Sequence, residues 1–339
     1  MADGGWLVAG FGDHLNILSI ESGEPVGSLP IPAQRLACDA SLCIAGDNTT
    51  VRAVDLARRS VKWQRATPGP LAFAPTLRSG WILLVSAEGR IAALRNADGT
   101  ELWTFAAAAP LTAPPAVDGD RVAIATADAA ITLLDIRTGR SLWTTSLTGG
   151  RPGAPRLGGG MVYVGTENRD LLFLDAATGR VKDTQRTGAT IVGAPALDEH
   201  LVYTTGQDGV LRAFDRGSGS LRWYADLPTR PADVGPLAAE GLTVVALRTG
   251  AFQVFLSDGD GKRAAAAVAV PGAGDSTVLL QVPPIMTGAG ASMRLVTITI
   301  GVGDESKWSA TLTAAAPPLP VSGLPKTIPG LPLTLTALR

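Results

Sequence analysis

Asp135-Ile136-Arg137-Thr138-Gly139-Arg140-Ser141-Leu142-Trp143 decides the fold, because the chain writes this stretch repeatedly at one interval. Trp63, Trp103, Trp143 and Trp223 stand 40, 40 and 80 residues apart, with Asp183 in the vacant slot. Asp55, Asp135, Asp175 and Asp215 keep the same frame, with Arg95 filling the gap. Gly99, Gly139, Gly179 and Gly219 keep it too, and Pro75, Pro115, Pro155 and Pro195 open the corresponding units. Four series in one phase mark a structural repeat, and a period near 40 is that of four-stranded propeller blades.

Within one unit the sequence reads Ala154-Pro155, Met161-Val162-Tyr163-Val164-Gly165, Asn168-Arg169-Asp170, Leu171-Leu172-Phe173-Leu174-Asp175 and Ala177-Thr178-Gly179. Short β-favouring runs parted by turn residues predict consecutive antiparallel strands, one meander per unit. The Asp208-Gly209 step predicts a two-residue hairpin with both residues at positive φ. In the stretch from Asp135 to Trp143, the aspartate is expected to accept turn amides and the glycine to take the left-handed position. The tryptophan is expected to return on the outer strand and pack between blades. The structural repeat positions are therefore Asp55, Trp63, Trp103, Asp135, Gly139, Trp143, Asp175, Gly179, Asp215, Gly219 and Trp223. Trp6, Trp81 and Trp308 fall outside the phase; Trp6 and Trp81 open second strands, where burial is expected.

Composition agrees with many short strands. Of 339 residues, 46% are hydrophobic and 17% charged, with 40 glycines and 24 prolines spread along the chain. Such a chain has ample apolar material for a core and many tight turns. Its 29 basic and 30 acidic residues leave a net charge of −1, which gives no field to gather nucleic acid. Arg58-Arg59 and Lys262-Arg263 read as solvated turns. No apolar run approaches the roughly 18 residues of a membrane span, and Met1-Ala2-Asp3-Gly4-Gly5 lacks the regions of a secretory signal.

The residues that could carry chemistry are few. Cys38 and Cys43 lie in one predicted hairpin, but the 40-residue frame sets them slightly out of register, so two buried thiols are the expectation and a disulfide across the hairpin is the alternative. Two cysteines without a histidine cluster argue against zinc. His14 and His200 fall in turns of different blades, too far apart in the repeat for a triad. One carboxylate per blade does not supply the six to eight oxygens of a calcium site. Gly158-Gly159-Gly160 lacks the Lys-Ser/Thr of a phosphate loop and reads as a hairpin tip. No catalytic, cofactor-binding or metal-binding residues are assigned.

The Ala/Leu-x-Asp-x-x-Thr-Gly-x-x-x-Trp units resemble the pyrroloquinoline-quinone-type (PQQ-like) repeat propellers. The resemblance is strong over 33–230. A shortened first unit precedes it at Trp6–Gly10, Leu15–Ser19 and Glu21-Ser22-Gly23. Degenerate blades follow over 231–312, with a proline-rich tail and closing strand over 313–339. The resemblance implies an all-β fold, 1–339 forming a single β-propeller of about eight four-stranded antiparallel blades, with seven left open. The run Leu331 to Leu338 alternates apolar and polar residues and is predicted to be a strand that closes the ring in the first or the eighth blade.

The family includes quinone-dependent dehydrogenases, but this chain departs from them: its cysteines are five apart and it lacks inserted carboxylate clusters. It is similar in size to the family's non-catalytic members, among them a propeller subunit of the outer-membrane β-barrel assembly machine. The resemblance thus implies a non-enzymatic scaffold without cofactors, binding protein partners through rim loops in a bacterial envelope, periplasmic by resemblance. A ligand- or glycan-sensing propeller is the alternative. The weakened last units and the apolar run Ala264 to Val270 are a further candidate for a partner surface.

Overall fold

The unit quoted above folds as four antiparallel strands in sequence order. In blade 5 these are Arg156–Gly158, Met161–Gly165, Asp170–Asp175 and Val181–Arg186. The computed structural model describes residues 6–11, 13–19, 25–39, 42–78, 80–239, 241–248, 252–257, 285–287, 294–301, 309–315, 326–329 and 334–337, and the side chains of most of these up to 257. Among them are eight sheets, seven of four strands and one of three. Blades 2 to 6 span 35–66, 76–106, 116–146, 156–186 and 191–226; blade 7 has three strands within 237–256, and blade 8 has four within 285–329.

Blade 1 draws its strands from both ends of the described residues. Its strands Trp6–Phe11, His14–Ser19 and Pro25–Leu29 are joined by the last strand of the chain, Thr334–Ala337, which pairs antiparallel to the first. Leu7 faces Ala337 and Gly10 faces Thr334. The two chain ends meet in one sheet, and an edge of the opening hairpin is covered. Among the described residues no helix is long and apolar enough to cross a membrane.

The second strands are buried on both faces, as in Leu42–Gly46 and Leu242–Ala246, which explains their unbroken apolar runs. The fourth strands alternate exposed and half-buried residues. The core is a set of seams. Ala123 and Leu133 of blade 4 pack with Val162 and Leu174 of blade 5, and Tyr203 and Trp223 of blade 6 with Val245 and Phe255 of blade 7.

A register shift recurs between the third and fourth strands of blades 1 to 6. In blade 4, Leu133 faces Trp143 but Leu134 faces Ser141, so Leu142 is bulged out and 51% exposed. The bulge turns the strand so that the tryptophan reaches the neighbouring blade.

Three expectations are corrected. Cys38 and Cys43 are not thiols: they face each other directly across the hairpin, Cα to Cα 4.0 Å, and form a disulfide. The Asp39 amide donates to the Leu42 carbonyl (2.9 Å), which makes a tight turn and places the cysteines at a close-spaced pair. The 40-residue frame hid this because no other blade carries cysteine there. At 208–209 only Gly209 has positive φ (79°), since the turn closes from the Gly209 amide to the Gly206 carbonyl (3.0 Å) rather than as a two-residue loop. Trp81 is half-buried rather than buried, packed against the seam of blades 3 and 4. Trp308, Ala264 to Val270, Lys262-Arg263 and the side chain of Trp6 lie outside the described residues.

Candidate partner-binding surface

Asp135 accepts the amides of Arg137 and Thr138 (2.9 and 2.8 Å) and the Thr138 hydroxyl (2.9 Å). Asp175 does the same with Ala177 and Thr178, and Asp215 with Gly217 and Ser218. Asp55 accepts the Arg58 amide (2.8 Å). The bonds hold each carboxyl below its ordinary pKa: the Thr138 hydroxyl leads at Asp135, and the Lys182 ammonium with the Thr178 hydroxyl holds Asp175 at about 2. Gly139 and Gly179 close these turns with φ of 68° and 72°, donating to the carbonyls of Asp135 and Asp175 (2.8 Å each).

The glycines have a second reason to lack a Cβ. A Cβ on Gly139 would lie 2.5 Å from the ring of Trp103, and one on Gly179 would lie 2.6 Å from Trp143. The tryptophans of blades 2, 3 and 4 each lie on the turn glycine of the next blade. Its Nε1 donates to that turn's carbonyl: Trp63 to Asn96 (2.9 Å), Trp103 to Ile136 (2.6 Å) and Trp143 to Ala176 (3.0 Å).

Two seams depart from this. Between blades 5 and 6, Asp183 replaces the indole and lies over Gly219. Here Arg216 of blade 6 takes up the bridging, donating to the Tyr163 hydroxyl of blade 5 (3.2 Å) with its guanidinium carbon 6.0 Å from the ring centre. Between blades 6 and 7, Trp223 stacks with Phe255 at 6.3 Å, and its buried Nε1 has no hydrogen-bond partner among the described residues. Tyr203 instead donates to Asp198 and, at 3.2 Å, to the Ser257 carbonyl of blade 7. Burial and the Asp198 carboxylate push the Tyr203 phenol well above its ordinary range.

The structure therefore spreads the repeat positions one turn per blade instead of gathering them. These turns share one rim with the turns between first and second strands, as when the Ile136 amide donates to the Asp120 carbonyl (2.8 Å). The opposite rim carries the turns between second and third strands and the links between blades, tied by bonds such as Glu167 amide to Arg151 carbonyl (3.0 Å).

At that second rim a cleft of about 190 Å³ is lined by Thr112, Arg151, Pro152, Thr166, Glu167 and Thr190. A second cleft of about 230 Å³, lined along first strands by Thr76, Arg78, Pro115, Ala116, Arg156 and Ala194, continues the same wall through 151–157. Sequence reasoning missed both. The available signal was Arg156, which stands in phase with Thr76, Ala116 and Ala196.

His14 Nδ1 is 2.6 Å from Asp13 Oδ1 on the surface of blade 1, and the His200 amide donates to Asp198 in a turn of blade 6. Among the described residues no three histidine, cysteine or acidic side chains converge on a metal position.

The family described as outer membrane protein assembly factor BamB matches residues 47–155 and 131–275. The chain belongs to this family. The BamB-family propeller is similar in structure to BamB from Moraxella catarrhalis, at 18% identity and a TM-score of 0.64, covering 88% of this chain and 89% of that one. It is also similar to Sqt1 of Saccharomyces cerevisiae (11%, TM-score 0.69, 90% and 89% covered). The computationally designed Ika8 protein is a further likeness (17%, TM-score 0.66, 76% and 82%). At these identities the structural likeness concerns the fold alone. No curated protein matches the chain by sequence.

Proposed function

We propose that this BamB-family propeller is a non-catalytic scaffold that binds protein partners through its rim loops during outer-membrane protein assembly. The observation that carries the reading is the family match over 47–275. A rigid ring of sheets that presents variable loops at two rims suits such a role.

The compartment is argued from chemistry. Cys38 and Cys43 are the only cysteines, and they are bonded to each other. Disulfides persist in oxidising compartments such as the bacterial periplasm and are rare in the cytosol. The net charge of −1 fits protein partners better than nucleic acid.

The test is purification of the tagged protein from its own organism, with chemical cross-linking and mass spectrometry. Cross-links from rim loops to an envelope assembly protein are the expected result. The absence of any reproducible protein partner would sink the reading.

A further inference from the structure

We propose that the two clefts form one funnel, which receives an extended, acidic segment of a partner protein, with Arg78 and Arg151 meeting its carboxylates. The inference rests on the scaffold reading and specifies the partner's chemistry.

Charge is the first argument. The exposed Arg78 and Arg151 line the two clefts against one carboxylate, Glu167, in a chain whose net charge is −1. The balance along this wall is therefore opposite to that of the whole molecule, and the guanidinium fork suits carboxylates. Size is the second. At about 190 and 230 Å³ each cleft is smaller than the roughly 300–1,000 Å³ of small-molecule sites, so each takes side chains in succession rather than one enclosed ligand.

The backbone supplies the third. Thr76–Arg78, Ala116–Asp118 and Arg156–Gly158 are each the terminal strand of their sheet, so they offer edge N–H and C=O groups to an extended chain. The fourth is Thr166, which lines the cleft at the second rim and is only 2% exposed. Its hydroxyl has no hydrogen-bond partner, whereas that of Thr126, its counterpart in blade 4, donates to the Ala130 carbonyl (3.3 Å). A ligand group that reached this hydroxyl would satisfy it.

The experiment is fluorescence anisotropy of the full chain with a labelled short peptide alternating glutamate and valine, beside the same peptide with glutamine or lysine. The glutamate peptide is expected to bind best and to weaken as salt rises. Arg151→Gln and Arg78→Gln are each expected to weaken it about fivefold, the upper end for an exposed ion pair. Arg65→Gln, on the outer strand of blade 2, serves as the control and leaves binding unchanged.

Equal binding of the glutamate and glutamine peptides overturns the proposal, as does equal binding by the Arg78→Gln/Arg151→Gln double variant with an unchanged melting temperature. Competition by free glutamate or phosphate at the peptide's own affinity overturns it too, marking a small-anion site. The scaffold reading fails on a different readout. If the double variant still cross-links its envelope partner at full strength, the funnel assignment falls and the scaffold stands.

Discussion

At the scale of single residues, the glycine beneath each indole carries two constraints at once, and its substitution separates them from ordinary packing. Gly139→Ala would strain a left-handed backbone and drive a methyl into Trp103, so a loss of about 2–4 kcal/mol is expected in urea denaturation. Trp103→Phe keeps most of the packing but drops the bond to the Ile136 carbonyl, at an expected cost of about 1–2 kcal/mol. Ala129, with φ of 61°, holds the position that Gly89 and Gly209 hold in other blades. Ala129→Gly is expected to raise stability by up to about 1 kcal/mol, read as a higher denaturation midpoint. The carboxylates set the acid limit. Partial burial raises Asp47, but Arg52 and the amides of Thr49 and Thr50 outweigh it and bring it to about 2, while Asp175 sits at about 2 as well. Both lie below their open-chain value of 3.8, so the stability they contribute is present above that value and is lost as pH falls through it towards about 2. Asp47→Asn should flatten this loss in a pH series of thermal melts.

At the scale of elements, the disulfide hairpin of blade 2 is the clearest test. Closing so short a loop is worth about 2 kcal/mol on the chain-entropy account, so reduction or the double substitution Cys38→Ser, Cys43→Ser should lower the melting temperature measurably. That hairpin also shows where sequence reasoning stops. The phased series from Trp63 to Trp223 made the meander and its blades legible, because each is a local pattern copied at a fixed interval. What occurs once was not legible. The cysteine pair has no copy to align with, and the tie of Arg216 to Tyr163 joins residues of two blades without any repeated motif. The clefts were hidden for a related reason. They depend on which strand edges face one another across blades, and no period in the sequence encodes that.

At the scale of the whole molecule, the last strand belongs to the first blade, so removing Thr334–Ala337 should strip blade 1 of the strand in its first position and lower the thermal midpoint of the entire ring. A chain truncated after residue 333 with an unchanged melt would show that this pairing adds little. The tryptophan seams carry a further consequence, because all three bonds point forward: Trp63 to Asn96, Trp103 to Ile136, Trp143 to Ala176. On a ribosome that releases the chain from its N-terminus, every such indole emerges before the carbonyl that will receive it. The protein is thus born with a moving front. Behind it blades 2, 3 and 4 are each sealed by their successor, and at it each of these three indoles waits for the next 33 residues.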